Sequence, residues 1–524
     1  MSVDTGARPA AHSGRSAPSK WWTLVAVCLG TFMLLLDVTI VNVALPAISD
    51  SLHASFSDLQ WVVDAYALTL AALLLTAGSL ADLYGRRKLY LFGLVVFTVA
   101  AMLCGMAISS RFLEISRGVQ GIGAAVMFSV SLALLADAFR GKDRGVAFGV
   151  WGAITGVAVA IGPLLGGALT SGLSWRWIFF VNLPIGIVAF VLTFMRVHES
   201  RGLKARRPDW LGVVTFTGAL ASLIYALIES GSAGFGSARV VGCLIAAGVL
   251  LVAFLLVEHF SRHPMFDLSL FRLPTFTGGL LAAFGVSASI FSMFLYLVLY
   301  LQNLLGYSAL DTGVRLLIIS GGVLVTSVIA GRLTEHMPVR FLIGPGLLMV
   351  GVGLLLMRGI TTSSPWTHLI AGFVVAGLGI GLINPPLAST AVGVVEPERA
   401  GMASGINSTL RQVGIATGIA LLGTLFANRI HSVIVSGLAS VPAAKDHAEQ
   451  VALGMQSGQL GRVLGSLPEQ ARGPVALAAK TAFVEGLNLV LLVSAIVALA
   501  TGVLALVLIR QKDFVSRGAA APGH

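Results

Sequence analysis

Gly78-Ser79-Leu80-Ala81-Asp82-Leu83-Tyr84-Gly85-Arg86-Arg87-Lys88 joins two long apolar runs, 59–80 and 89–109. A connection this short cannot leave a membrane surface, and its Arg-Arg-Lys cluster marks a cytoplasmic face, where short loops concentrate positive charge. On either side of it, apolar runs recur at lengths that suit a bilayer, where about 20 residues cross the hydrocarbon. They lie at 21–46, 112–136, 145–171, 175–196, 210–230, 240–258, 276–302, 313–332, 340–357, 366–391, 401–427 and 482–509. The pattern predicts an all-α polytopic membrane protein with fourteen spans.

Composition points the same way. Apolar residues make up 56% of the 524-residue chain, charged residues 11%, and the mean hydropathy is +0.91. An ordinary soluble domain carries about 25% charged residues. An even number of spans places both termini on one side. With the termini in the cytoplasm, roughly two thirds of the 34 Lys and Arg fall in cytoplasmic segments, so that orientation is expected. The net charge of +11 then reads as topology determinants facing anionic lipid. The basic residues are scattered and lack an aromatic platform, which argues against a nucleic-acid surface. Cys28, Cys104 and Cys243 all lie within spans and at no metal-ligand spacing, so they read as packing residues and no metal is expected. The first span is too long for a signal-peptide core and reads as a retained helix.

An internal repeat organises the chain. Gly331-x-Leu333-x-Glu335-x-x-Pro338-x-Arg340 is a worn copy of the opening turn, with Glu335 standing for Asp82 and Arg340 for Arg87. Gly145, Gly149, Gly162 and Gly167 of the fifth span align with Gly401, Gly405, Gly418 and Gly423 of the thirteenth. Both echoes have an offset of roughly 250 residues, as one duplication would give. The expected order is a tail (1–20), a six-helix bundle (21–196), a basic linker (197–209), two inserted helices (210–258), a linker (259–275), a second six-helix bundle (276–509) and a tail (510–524). The second bundle includes one long outer loop, 428–481, with little apolar periodicity and no assigned role.

The opening turn resembles the loop between helices two and three of the major facilitator superfamily. The layout of six, two and six helices resembles its fourteen-span drug:proton antiporter branch, the QacA/EmrB-like exporters. Four further stretches carry the resemblance: Leu36–Pro46 in the first span, Arg117-x-x-Gln120-Gly121-x-Gly123 in the fourth, Gly152-x-x-x-Gly156 with Gly162-Pro163-x-x-Gly166-Gly167 in the fifth, and Trp175–Gly186 at the sixth. The C-terminal half departs most from the pattern, at Glu335 and Pro338. The resemblance implies export of small amphipathic drugs or an antibiotic, driven by the proton gradient without a cofactor, by a monomer in a bacterial plasma membrane.

Several residues carry the expected chemistry. Asp82 is costly at a membrane boundary without a partner, so Asp82, Arg86 and Asp137 are expected to form a cytoplasmic latch with Gly78, Gly85 and Arg87; the bare alternative is that the cluster only fixes orientation. The glycines of the fifth span either seal the transport path or simply allow close helix packing, and Pro163 bends the helix. Ionisable groups inside spans are expensive and mark coupling sites. Asp37, Asp64 and Arg117 stand at similar depth in the outer half. Burial and a neighbouring carboxylate favour a protonated acid, and a nearby arginine the charged one. Asp37 is the expected proton carrier, Asp64 a partner, a substrate contact or a solvated residue at the mouth, and Arg117 the group that tunes both. Asn42, Gln120, Phe291, Tyr300 and Arg411 are candidate cavity residues. Arg411 either touches an acidic or carbonyl-bearing substrate or pairs across helices.

Rival functions fare worse. No Gly-x-x-x-x-Gly-Lys-[Ser/Thr] loop is present for a primary pump, and no His-Glu-x-x-His or Gly-x-Ser-x-Gly for a membrane enzyme. Duplicated halves argue against a channel and for rocking about a central site. A proton-coupled importer of a small organic solute is the alternative that remains open.

Overall fold

The computed structural model describes residues 20–54, 56–139, 142–201, 209–261, 268–334, 336–396, 400–439, 445–456 and 460–514. Among them there is no strand. That follows from the composition, because a backbone in hydrocarbon must satisfy its own hydrogen bonds within each segment. In the N-terminal part the helices are α1 (Lys20–Leu52), α2 (Phe56–Tyr84), α3 (Arg86–Gly105), α4 (Ser110–Ala138), α5 (Lys142–Gly172), α6 (Trp177–Phe180) and α7 (Asn182–Arg196). Two more follow, α8 (Trp210–Ala233) and α9 (Ala238–Phe260). The rest of the chain forms α10 (Pro274–Val286), α11 (Ser292–Leu299), α12 (Ala309–Leu333), α13 (Arg340–Met357), α14 (Ile370–Gly393), α15 (Ala400–Leu438), α16 (Ala448–Gln456), α17 (Leu460–Ser466) and α18 (Glu469–Leu508).

A helix lies at each predicted apolar run. Eleven helices among the described residues are long and apolar enough to cross a membrane, or thirteen when two bent pairs are each taken as one crossing. The bent pairs are α2, with 51° between Trp61–Leu74 and Thr76–Tyr84, and α5, with 40° between Asp143–Val159 and Leu164–Gly172. The α5 bend falls at Gly162-Pro163, where proline removes a backbone donor. The run predicted at 276–302 is interrupted: α10 and α11 are joined by a π-helical turn at Ser287–Phe291, and a second π turn follows at Tyr300–Leu304. Nothing in its apolar pattern signalled these turns.

Polar caps set several helix starts. Ser109 accepts from the Phe112 N–H at the head of α4, and Asp209 from the Gly212 N–H at the head of α8. A single residue separates α2 from α3. Gly85 has φ +111°, a conformation that L side chains rarely adopt, and a Cβ there would also strike the Glu199 carboxylate at 2.6 Å.

Packing gathers α1–α7 around cores that include Leu74, Tyr90, Phe97, Met127 and Phe148 at one depth, and Leu36, Ile40, Val62 and Phe179 at another. A second core, with Met293, Leu297, Leu347, Phe373, Ile383 and Leu491, is built from α10–α18. α5 and α12 join the two groups almost backbone to backbone. A methyl group at Gly331 would lie 2.8 Å from Gly149 Cα and 2.9 Å from the Gly145 carbonyl, and one at Gly156 would lie 2.6 Å from Val323. Small residues permit this approach where lipid supplies no hydrophobic drive. α2 meets α15 at the other junction, and α8 lies over both: Ala71, Ala72, Leu220 and Ile224 pack together with Val413 and Ala416, and the Thr76 and Thr217 hydroxyls are 3.0 Å apart.

The segment expected to be a loop, 428–481, is largely helical. α15 runs on to Leu438, α18 begins at Glu469, and α16 and α17 pack between them around Ile430, Ile434, Val451, Leu467, Ala471 and Val475. At 39 residues, α15 spans about 58 Å, nearly twice the hydrocarbon thickness. α15 contributes Ile430, Ile434 and Leu438 to this core, whereas α16 and α18 contribute mostly alanine and valine, which leave a faint periodicity.

Candidate functional site

The charged centre lies inside the α1–α7 group. Asp37 of α1 and Arg117 of α4 are both sealed from solvent, with Arg117 Nη1 2.5 Å from Asp37 Oδ2. Gln120 stands one helical turn beyond Arg117 and so shares its face. Its Oε1 accepts from Arg117 Nη1 at 2.9 Å, and its Nε2 donates to Asp37 Oδ1 at 2.9 Å. Asn182, at the start of α7, donates to the same Oδ1 at 3.4 Å. Arg117 Nε donates to the Val62 carbonyl of α2 at 3.0 Å, and its guanidinium lies over the Tyr66 ring at 4.3 Å.

Four helices thus converge on one carboxylate. The guanidinium and two side-chain amides donate to it, and an aromatic face and a backbone carbonyl orient the guanidinium. A buried charge survives only when it is paired and hydrogen-bonded. The fifth helix abuts this point: a methyl at Gly162 would collide with Thr39 Oγ1, and one at Gly166 would lie 2.9 Å from the Ile40 carbonyl.

A second polar cluster lies at the Gly85 turn. Arg86 donates to Asp82 Oδ1 from Nε at 2.9 Å and from Nη2 at 2.8 Å, and its Nη1 is 4.0 Å from Asp137 Oδ1. Asp82 also accepts from the Met402 backbone N–H in the first turn of α15, so the turn reaches across to the other helix group. Deeper in, Ser404 Oγ donates to the Ser129 carbonyl at 3.2 Å. Arg87 is engaged elsewhere: its backbone N–H meets Glu199 at 3.1 Å and its guanidinium donates to the Phe194 carbonyl. Gly78 and Gly167 are buried, and Gly152 packs on Pro385 of α14, 3.1 Å from where its Cβ would be.

The candidate cavity residues are distributed differently from expectation. Gln120 belongs to the Asp37–Arg117 ring and is fully buried, because its amide is the neutral bridge between the two charges. Tyr300 sits in the core of the α10–α18 group, its hydroxyl donating to the Ser364 carbonyl at 3.3 Å. Arg411 donates to Asn384 Oδ1 of α14 at 3.2 Å. The side chains of Asp64, Asn42, Pro163 and Phe291, and the whole of Glu335, lie outside the described residues; the Asp64 backbone stands two positions beyond Val62 on α2. Among the described residues no cluster of His, Cys, Asp and Glu suits a metal ion.

Asn182 and Tyr66 are the site residues that sequence reasoning passed over. Asn182 lies in the quoted Trp175–Gly186 stretch, and Tyr66 one turn beyond Val62, but neither carries a charge to mark it.

Comparisons with known proteins bear on the whole chain. The family model of the Major Facilitator Superfamily matches residues 27–419. The multidrug resistance protein Stp of Mycobacterium tuberculosis is 37% identical over 478 residues, covering 90% of this chain and 89% of Stp. The tetracenomycin C resistance and export protein of Streptomyces glaucescens is 31% identical over 513 residues, covering 97% and 95%. Among solved structures, the human organic anion transporter MFSD10 (TETRAN) superposes with a TM-score of 0.60 at 16% identity, over 88% of this chain and 100% of that one, a likeness of fold.

Proposed function

This chain belongs to the Major Facilitator Superfamily, and we propose that it exports small amphipathic drugs or an antibiotic across a bacterial plasma membrane in exchange for protons. It is a membrane transporter and not an enzyme. Its resistance and efflux relatives support export, and the buried Asp37–Arg117 pair is the observation that carries proton coupling.

In this reading the chain crosses the membrane fourteen times as six, two and six helices, acts as a monomer, and keeps both termini and the Gly85 turn in the cytoplasm. The Asp82–Arg86–Asp137 cluster and the Met402 contact hold the cytoplasmic side closed. A proton entering from outside takes Asp37 Oδ2 from Arg117, which loosens α4 from α1 and lets the cytoplasmic contacts part. Cargo binds from inside as the proton leaves to the cytoplasm. Re-formation of the ion pair returns the carrier, so one proton moves in for cargo moving out. Asp64, close to the same ring along α2, is the second proton-handling candidate.

The test uses proteoliposomes loaded with drug. An acidic exterior should drive efflux through the outward-exporting orientation, and Asp37→Asn should abolish the dependence while the protein remains folded. Flux indifferent to a pH step, or unimpaired in Asp37→Asn, overturns the coupling. Drug accumulation with the proton gradient identifies an importer instead.

A further inference from the structure

Arg411 is a partly buried cation within a span that the coupling scheme does not use. It lies eleven residues along α15 from Ala400, about 16 Å by helical rise and near the middle of a hydrocarbon layer about 30 Å thick. Among the described residues it makes one hydrogen bond, to the neutral Asn384 amide oxygen at 3.2 Å, and no ion pair. The two buried arginines among the described residues, Arg86 at the Gly85 turn and Arg117 within α4, each face a carboxylate. Five N–H donors on Arg411 are thus served by a single acceptor.

Its direction follows from its neighbours. Ser404, two helical turns earlier on the same face of α15, bonds to the Ser129 carbonyl of α4. Asn384 precedes Pro385, which packs on Gly152 of α5. Arg411 therefore lies on the face of the second bundle that meets the first, at mid-depth, and it is only partly buried. Asp37, the acidic group at comparable depth whose side chain is described, is already neutralised by Arg117. Among the described side chains of this centre one positive charge is left over; the side chain of Asp64 lies outside them.

We propose that Arg411, backed by Asn384, binds the anionic group of the cargo, and that the preferred substrates are amphipathic acids bearing a carboxylate or an ionised enol or phenol. This deepens the export reading and rests on it. A planar guanidinium fork matches such oxygens two at a time, and in a low-dielectric interior the missing counter-charge is supplied by the ligand itself. The Arg411 charge itself disfavours a cationic group at this position, which would face repulsion there.

Binding to purified, full-length protein in lipid nanodiscs tests the proposal, with fusidate as the amphipathic carboxylate and ethidium as the amphipathic cation. Wild type should prefer fusidate by at least about tenfold, and Arg411→Gln should weaken fusidate by a similar factor while leaving ethidium unchanged or tighter. Arg411→Lys should fall between, because it keeps the charge and loses the fork. A preference for ethidium, or equal losses for both probes in Arg411→Gln, overturns the inference and leaves export standing. If a folded wild type binds neither probe and passes no drug in the liposome assay, the export reading falls and takes the inference with it.

Discussion

The two mid-membrane arginines sit in opposite circumstances. Arg117 in the first bundle bonds to a carboxylate, an amide and a backbone carbonyl, and stacks on a tyrosine. Arg411 in the second has, among the described residues, one neutral amide. A completed circuit is stable until one of its members changes protonation, which is what a proton-driven switch requires. An incomplete one is costly until something else completes it, which is what a cargo site requires. On the proposed reading the two helix groups divide the work, with energy handled in α1–α7 and recognition in α10–α18.

Stability offers the sharpest way to break that contrast. Arg117→Gln strands Asp37 in a buried site and should cost about 3–5 kcal/mol, whereas Arg411→Gln strands no charge and should be neutral or stabilising by about 1 kcal/mol. Thermal unfolding of the two variants in one detergent decides it; equal losses would mean that Arg411 has a structural acid partner. Asp82→Asn comes next, since it weakens both the Arg86 pair and the Met402 contact. Transport should fall about tenfold with the protein still folded, an effect of the order expected for one charge-assisted hydrogen bond; undiminished flux would remove the cytoplasmic latch. Asn182→Ala removes the longest of the donors to Asp37 and should cost about 1 kcal/mol, moving the pH profile of transport more than its maximum. A change in maximum rate alone would assign Asn182 to packing. The smallest effect is expected from Asn384→Leu, about 0.5–1 kcal/mol, accompanied by weaker binding of the acidic probe with unchanged proton coupling. Altered coupling in that variant would show that the halves are not specialised.

Much of this was legible because membranes make charge conspicuous. Asp37 and Arg117 stood out as ionisable residues inside apolar runs, and the structure brings them into contact. Gln120 had a visible signal as well, one turn beyond Arg117, but it was assigned to a cavity because a neutral amide in a span does not declare its partner. Asn182 was hidden for the same reason. Helix rotation sets which face of a span points inward, and runs that are apolar all round give no such bearing. The contacts of Tyr300 were not legible on that account, since π turns shift the facing residues of its helix. The helices of 428–481 were missed for the opposite reason: the alanine-rich faces of α16 and α18 are too weakly apolar to register alone, yet they close into a core against Ile430, Ile434 and Leu438 of α15.

The inserted pair raises a mechanical question for any rocking carrier. α8 touches α2 on one side of the junction and α15 on the other, with the Thr76–Thr217 hydroxyl contact anchoring it to the first. If those two helices separate during the cycle, α8 must travel with one of them and slide against the other. A cysteine bridge from position 217 to position 76 should then be tolerated, and one from α8 to α15 should stall turnover. The extra hairpin is in this sense a clutch plate, whose grip sets how freely the two bundles turn.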